Sequence, residues 1–238
     1  MPPAAKAEQK TLLKFATLHW PPYCAQNIEQ QGYASQVVRQ ALHIAGYQVN
    51  LYFLPWERAV RTMQQPDFAG YTPEYKEDRL TDCIFSDPFP GGPLYLFKRK
   101  EDVISYNSLH DLKEEHIGVV SGYINTPEFD NADYLQKHPA VNDETNLRKL
   151  LAGRLDLLVG DKLVIMYLMQ HVLKKSPELI EPLGPPLAQK SLHVCFKRQH
   201  PDANQYVEAF NSGLLQLQKN GTLKNMHQQL YNNFNTKN

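Results

Sequence analysis

Residues 11–18 (TLLKFATL) and 33–45 (YASQVVRQALHIA) decide the fold class of this chain. The first segment is a short apolar run that ends at the turn-forming residues 20–22 (WPP), which is typical of a buried strand. The second places apolar side chains three and four positions apart, as on the packed face of a helix. Apolar side chains alternate in residues 49–53 (VNLYF), which predicts a second strand. Because strand, helix and strand follow one another, we expect an α/β fold with an open, mostly parallel sheet.

The same alternation restarts after residue 100. Residues 117–120 (IGVV) and 155–159 (LDLLV) predict two more buried strands. A leucine-rich helix lies between them, with Thr145 as its expected N-cap, and Asp161 is placed to cap the helix that follows the second strand. The last predicted elements are a strand at 192–196 and two helices beginning at 202 and 222.

Two segments are candidate crossings between lobes. Residues 98–102 (KRKED) are a charged run, and residues 181–190 (EPLGPPLAQK) are rich in proline and glycine. If both cross, residues 11–97 and 190–238 form a first lobe, and residues 98–189 form a second lobe inserted into it. Two connecting strands would then act as a hinge beside a cleft.

The charge balance and the hydropathy pattern exclude two kinds of partner. The chain has 238 residues, of which 25 are basic and 25 acidic, so its formal net charge is zero. A nucleic-acid-binding protein needs a basic face, which this mixed balance does not predict. No apolar run approaches the roughly 18 residues needed to cross a bilayer. We therefore expect neither nucleic acid nor an anionic lipid surface as a partner.

Residues 1–10 (MPPAAKAEQK) are polar and rich in proline and alanine, so we expect a disordered N-terminal tail. They lack the apolar core of a signal peptide. If the protein is exported, the expectation is therefore that its signal peptide has been removed.

The three cysteines are Cys24, Cys83 and Cys195. An odd number excludes a fully paired intramolecular framework, and no two of them have the C-x-x-C spacing. We expect them to be small apolar core residues. The alternative for an exported chain is one bridge between Cys24 and Cys83.

Six groups of short segments follow one another along the chain. They are 20–23 (WPPY), 55–58 (PWER), 78–79 with 85–89 (DR and FSDPF), 112–113 with 117–122 (LK and IGVVSG), 150–161 (LLAGRLDLLVGD) and 220–223 (NGTL). In this order they resemble the bacterial extracellular solute-binding proteins of family 3, the polar amino-acid receptors of ABC importers. The resemblance runs from about residue 13 to 230. It implies a two-lobed periplasmic-binding-protein fold of type II, in which helices flank a mostly parallel sheet in each lobe.

The resemblance also implies roles for individual side chains. Arg79 corresponds to the arginine that binds the ligand's α-carboxylate through two parallel hydrogen bonds, and the alternative is an ordinary surface arginine. Asp161 corresponds to the acid that receives the α-ammonium, which it can do while capping a helix. Trp20 corresponds to the aromatic residue that stacks on the ligand's side chain, whereas Trp56 and Arg58 lie at the lip of the cleft.

Residues 71–75 (YTPEY) depart from the family, whose members usually continue Thr-Pro-Glu with arginine. Here Thr72 and Glu74 are followed by Tyr75, and the arginine comes at Arg79. Two alignments remain open. In one, Arg79 holds the carboxylate and Glu74 lies where a serine or threonine normally touches the ammonium. In the other, Tyr75 occupies the place of the arginine. A carboxylate at Glu74 would favour a cationic ligand or a tightly held amine.

Gly122 and Tyr123 complete the expected site. They follow the strand at 117–120 and suit a helix N-terminus that holds a carboxylate. The full set of expected ligand-binding residues is Trp20, Trp56, Arg58, Thr72, Glu74, Tyr75, Arg79, Gly122, Tyr123 and Asp161. The nine histidines show no metal-binding spacing, and no phosphate- or dinucleotide-binding glycine motif is present. We therefore expect no metal and no cofactor.

Two functions from different classes remain open. The first is a monomeric, periplasmic or otherwise extracytoplasmic receptor without catalytic residues. It closes on a small zwitterionic ligand, an amino acid or an analogue, and delivers it to an ABC permease or reports it to a membrane sensor. The alternative is a lyase on the same fold, similar to prephenate or arogenate dehydratase. Such an enzyme needs a carboxyl group of raised pKa near the leaving group, and Glu74 is the candidate.

Overall fold

Ten strands and seven α-helices are found in residues 11–235, the part of the chain that the computed structural model describes. The strands are β1 (Leu12–Thr17), β2 (Gln48–Phe53), β3 (Phe68–Glu74), β4 (Cys83–Phe85), β5 (Phe89–Arg99), β6 (His116–Val120), β7 (Gln136–Ala140), β8 (Leu157–Asp161), β9 (Ile180–Pro182) and β10 (Ala188–Lys197). The helices are α1 (Tyr33–Ile44), α2 (Trp56–Arg61), α3 (Pro127–Asp130), α4 (Asp143–Leu151), α5 (Lys162–Tyr167), α6 (Ala203–Lys219) and α7 (Thr222–Asn235). The expected N-terminal tail, residues 1–10, lies outside the described residues.

The strands form one continuous sheet in the order β2-β1-β3-β10-β5-β8-β6-β7, with β4 beside β10 and β9 beside β5. β1 lies parallel between β2 and β3, and β6 lies parallel between β7 and β8. β5 and β10 run antiparallel to each other and to their other neighbours. The fold is therefore two-lobed: each lobe has its own parallel strands, as expected, and β5 and β10 connect the two.

The first lobe is held together by α1 and α6. The helical stripe predicted from the sequence is buried, and Val37, Ala41 and Leu42 are fully inaccessible. A side chain at Gly213 of α6 would overlap the backbone carbonyl of Ala41, so only glycine allows the two helices to pack this closely. Burying each large aliphatic side chain contributes about 1.5–3 kcal/mol relative to leaving it exposed.

The second lobe has an additional core on the outer face of its sheet. Leu96 of β5, Ile117 of β6 and Leu157 of β8 are fully buried there against Leu112 and Phe129. The candidate crossing segments at 98–102 and 181–190 lie side by side, because the Lys98 ammonium is 2.6 Å from Oε1 of Glu181. The strand pairing thus brings together two segments that are more than 80 positions apart in the chain.

The N-caps of two helices in the second lobe were predicted, one correctly. Asp161 caps α5, since its Oδ1 accepts hydrogen bonds from the backbone N–H groups of Leu163 at 2.8 Å and Val164 at 3.3 Å. The prediction that Thr145 caps α4 was wrong. The cap is Asn142, whose Oδ1 accepts from the backbone N–H of Thr145 at 2.9 Å. Both residue types cap helices well, so the sequence alone favours neither position.

The observed disulfide differs from the bridge that the sequence left open as an alternative. Cys83 of β4 and Cys195 of β10 form a disulfide across 112 positions of sequence, and Cys24 is a free, buried thiol. The alternative Cys24–Cys83 pairing is wrong because β4 pairs with β10, which places Cys83 beside that strand. Cys24 is a core residue, as the first expectation had it, and accepts a hydrogen bond from the hydroxyl of Ser35 at 3.4 Å.

Candidate functional site

A small cavity lies where the two lobes meet. It is lined by five of the predicted site residues, together with Leu18, Pro73, Ile124 and Leu192. The five are Trp20, Trp56, Glu74, Tyr75 and Tyr123. Its volume of about 30 Å³ has room for one or two water molecules, so a larger ligand enters only when the lobes separate.

Aromatic rings from both lobes form the walls of this cavity. The ring centroid of Trp20 lies 6.1 Å from that of Tyr75 and 6.4 Å from that of Tyr123. Trp56 meets the ring of Tyr123 edge-on at 5.9 Å. The indole N–H of Trp56 also donates to the backbone carbonyl of Gly122 at 3.1 Å, and Gly122 has a positive φ of 77°. Because Trp56 belongs to the first lobe and Gly122 to the second, this hydrogen bond closes the cleft.

Glu74 ends strand β3 with its carboxyl group buried. Its Oε2 accepts from the Tyr71 hydroxyl at 3.1 Å, and its Oε1 accepts from the backbone N–H of Tyr75 at 2.8 Å. Burial raises the pKa of Glu74 to about 7, although both hydrogen bonds favour the charged form. This carboxyl group is therefore partly protonated at neutral pH.

Asp161 ends strand β8 and is also buried. Besides its two N-cap hydrogen bonds, it accepts from the Tyr23 hydroxyl at 3.1 Å. Burial raises its pKa to about 7, and the charge of Asp143 adds to the rise. Tyr23 was not predicted as a site residue, although it belongs to the WPPY segment. It packs its ring on Trp20 at 4.6 Å between centroids.

A third buried acid, Asp143, was also missed by the sequence analysis. It is the first residue of α4 and accepts from the Tyr123 hydroxyl at 3.4 Å. Burial raises its pKa to about 7 as well. Its sequence position was only a weak indication of a binding role, because the helix dipole alone explains an acid in the first turn of a helix.

Tyr75 lies among these three acids. Burial, followed by the charges of Asp161, Asp143 and Glu74, raises the pKa of its phenol well above the usual value. Its hydroxyl is buried and has no hydrogen-bond partner among residues 11–235. The ammonium of Lys190 lies over its ring, 4.7 Å from the centroid.

The remaining predicted residues lie away from the cavity wall. Arg79 is 58% exposed and pairs across the lobes with Asp130, with 3.6 Å between its Nη2 and Oδ2 of the acid. Arg58 is exposed on α2, whereas Thr72 is fully buried in β3. The structure therefore brings Glu74, Tyr75 and the aromatic residues together, and it leaves Arg79 at the rim.

In residues 11–235, no group of three or more histidine, cysteine, aspartate or glutamate side chains is arranged to hold a metal ion. Within the same range, no helix combines the length and the apolar character that crossing a membrane requires.

The two lobes, their two connecting strands and the cavity between them define the class of two-lobed solute-binding proteins. The chain belongs to the bacterial extracellular solute-binding proteins, family 3, whose family model matches residues 13–233. Among curated proteins, none matches this sequence.

Solved structures share this fold at low sequence identity. A histidine kinase sensor domain similar to periplasmic binding proteins has a TM-score of 0.81 at 17% identity, covering 94% of this chain and 97% of that one. The GluR0 ligand-binding core from Nostoc punctiforme, in complex with L-glutamate, has a TM-score of 0.77 at 18% identity, with coverages of 92% and 99%. The substrate-binding protein AbpA from Streptococcus pneumoniae, bound to L-arginine, has a TM-score of 0.77 at 17% identity, with coverages of 96% and 98%. None of these supports the dehydratase alternative.

Proposed function

We propose that this protein is an extracytoplasmic receptor that closes on a small amino acid or a related zwitterion and releases it unchanged. One observation carries the proposal: Glu74, Asp143 and Asp161 are all buried where the two lobes meet. Three buried acids without an ion-pair partner among the described residues are unfavourable in the absence of a cation, so an amine is the natural occupant. The amino acids bound by AbpA and by the GluR0 core support the same class of ligand.

In this proposal, Asp161 receives the ligand's ammonium group. Its Oδ2 already accepts from the Tyr23 hydroxyl, which leaves lone pairs for a second donor. Arg79 binds the ligand's carboxylate, for which its guanidinium must turn from Asp130 towards the cavity. The pair is long at 3.6 Å and its arginine is 58% exposed, so this exchange costs little.

The mechanism is a hinge closure rather than a chemical reaction. In this proposal the first lobe comprises residues 11–97 and 190–238 and the second comprises residues 98–189, while Leu96, near the end of the connecting strand β5, packs into the core of the second lobe. β5 and β10 flex where they pass between them. We propose a monomer in the periplasm or another extracytoplasmic space, with an ABC permease or a membrane sensor as partner. The sensor-domain relative supports the second kind of partner.

Calorimetric titration with amino acids, small peptides and polyamines tests this function. Binding of at least one amino acid is expected, together with a smaller radius of gyration by small-angle scattering at saturating ligand. Prolonged incubation should return the ligand unchanged. Turnover of prephenate or arogenate would contradict the receptor function. Binding with no change in the radius of gyration would contradict the hinge closure.

A further inference from the structure

The charges around the cavity are unbalanced. Of the side chains that line it in the described chain, Glu74 is the one with a carboxyl group, and none is cationic. Asp143 does not line the cavity and is hydrogen-bonded to Tyr123 of its wall. Asp161 does not line it either and is hydrogen-bonded to Tyr23, which packs on Trp20 of the wall. One amine at Asp161 therefore leaves the carboxyl group of Glu74 without a cation.

The hydrogen-bond donors of Glu74 do not provide a positive charge to balance its carboxylate. Its two donors are a phenol and a backbone N–H, both of which are neutral. The nearby cations, Arg79 and Lys190, act on it through space, and neither is hydrogen-bonded to it in the described structure. A carboxyl group that is 6% exposed and faces a cavity is suited to a cation that arrives with the ligand.

One buried polar group on the cavity wall also lacks a partner. The hydroxyl of Tyr75 has none among residues 11–235, and this residue is 9% exposed. The indole N–H of Trp20, by contrast, is directed at the carboxyl group of Asp143 and favours its charged form. A buried polar group usually finds a partner, so the Tyr75 hydroxyl indicates a ligand with a polar atom at this position.

The aromatic walls attract positive charge. A cation within about 6 Å of a ring centroid is stabilised by the ring's quadrupole. The structure already contains one example, since the Lys190 ammonium lies 4.7 Å from the centroid of Tyr75. The rings of Trp20, Trp56 and Tyr123 form the other sides of the same cavity.

We propose that Glu74 and these aromatic rings form a subsite for a second cationic group, so that the receptor selects ligands of net positive charge. This inference rests on the proposed function, because it assigns the ligand of the same cleft. The second group is an ammonium or a guanidinium. It belongs either to the side chain of a basic amino acid or to a diamine that has no carboxylate.

Matched ligands test the charge directly on the unmodified protein. L-Norleucine resembles L-lysine without the terminal ammonium, and L-citrulline resembles L-arginine with a neutral end group. We expect the charged member of at least one pair to bind at least tenfold more tightly in calorimetry. Equal affinities within threefold in both pairs, or preference for a neutral or acidic amino acid, would overturn the subsite and leave the receptor function standing. Binding of no amino acid and no amine would instead reject the proposed function.

The two sources of the cation are separated by decarboxylated ligands. Cadaverine and agmatine keep the distal cation of lysine and arginine but lack the carboxylate. If the ligand is a basic amino acid, lysine or arginine binds more tightly than its amine, and Arg79→Ala removes that advantage. If the ligand is a diamine, the amine binds at least as tightly, and Arg79→Ala leaves its affinity unchanged.

Glu74→Gln assigns the selectivity to this residue. It keeps the side-chain size, so we expect it to weaken the charged ligand at least tenfold and the neutral partner by less than threefold. Glu208→Gln, on the exposed surface of α6, is the matched control and should change neither. Equal weakening of both ligands by Glu74→Gln would mean that the residue is structural, and would overturn the assignment.

Discussion

The hydroxyl of Tyr23 donates a hydrogen bond of 3.1 Å to Oδ2 of Asp161, which lies 138 positions later in the chain. The tyrosine follows β1 in the first lobe and the acid ends β8 in the second, so the bond joins the lobes. Gly92 of the connecting strand β5 lies against both groups, and a Cβ there would come within 2.5 Å of Oδ2 of Asp161. A glycine is therefore required at this point for the lobes to meet.

Tyr23→Phe should weaken the closed form by removing this hydrogen bond. A buried carboxyl group that loses a donor costs about 1–3 kcal/mol in the free energy of unfolding. For a chain of this size we expect the melting temperature to fall by about 2–4 °C for each kcal/mol. Thermal unfolding measures the effect, with Tyr134→Phe, which is 46% exposed, as the control. Equal melting temperatures for Tyr23→Phe and the parent would show that the bond does not stabilise the closed form.

Arg79→Ala should weaken amino-acid binding far more than Arg58→Ala. Leaving a ligand carboxylate unpaired in a closed cleft costs about 2–5 kcal/mol, which is roughly 30-fold or more in Kd. Arg58 is exposed on α2, so its removal should cost about 1 kcal/mol or less. Arg79→Lys should restore part of the affinity, because it keeps the charge and loses the two-point geometry.

Calorimetric titration of these three arginine variants against the ligand found in the amino-acid screen is the measurement. Binding of Arg79→Ala within about threefold of the parent would place the carboxylate elsewhere, and the alignment with Tyr75 in the arginine's place would then be preferred.

The stability of the ligand-free protein should fall as pH rises through neutrality. Burial raises the pKa values of Glu74, Asp143 and Asp161 to about 7 in the folded state, above their ordinary values of 4.5, 3.8 and 3.8. The folded state therefore binds more protons than the unfolded state between about pH 4 and 7, so the free energy of unfolding falls as pH rises through this window and levels off above 7. Each group contributes a slope of at most about 1.4 kcal/mol per pH unit.

Urea denaturation at pH 5, 6, 7 and 8 checks this dependence. His193 acts in the opposite direction, because burial lowers its pKa below 6.5. The comparison is therefore made with Glu74→Gln, which lacks one of the three acids and should show a shallower fall. A parent protein whose stability rises from pH 5 to 8, or a variant with an unchanged slope, would contradict the assignment of these pKa shifts.

Loss of the Cys83–Cys195 disulfide should destabilise the first lobe. The bond ties β4 to β10 and closes a loop across 112 positions of sequence, so its removal lowers the free energy of unfolding by about 2–5 kcal/mol. Urea denaturation of a variant with both cysteines changed to serine measures the loss. The oxidised parent is the reference, and reduced parent protein should match the variant. If reduction changes nothing, the bond does not form in solution.

Local sequence patterns were enough for most elements near the site. The helical stripe of α1 and the apolar runs of β1, β6 and β8 depend on neighbours a few positions away, and each was found within one or two residues of its predicted bounds. β7 was not predicted, since its sequence QKHPA is polar and has no alternation. It pairs along one side with β6, at the end of the sheet, where burial is partial.

By itself, the sequence determined the α/β class, the two-lobed family and five of the residues around the cavity, because short motifs and periodicity carry that information. The tertiary structure alone decided that Cys83 pairs with Cys195, that Tyr23 meets Asp161 and that Arg79 lies at the rim beside Asp130. These contacts join residues 51 to 138 positions apart, and local periodicity carries no information about such distances. The raised pKa values have the same origin, because a carboxyl group is desolvated only when distant parts of the chain close over it.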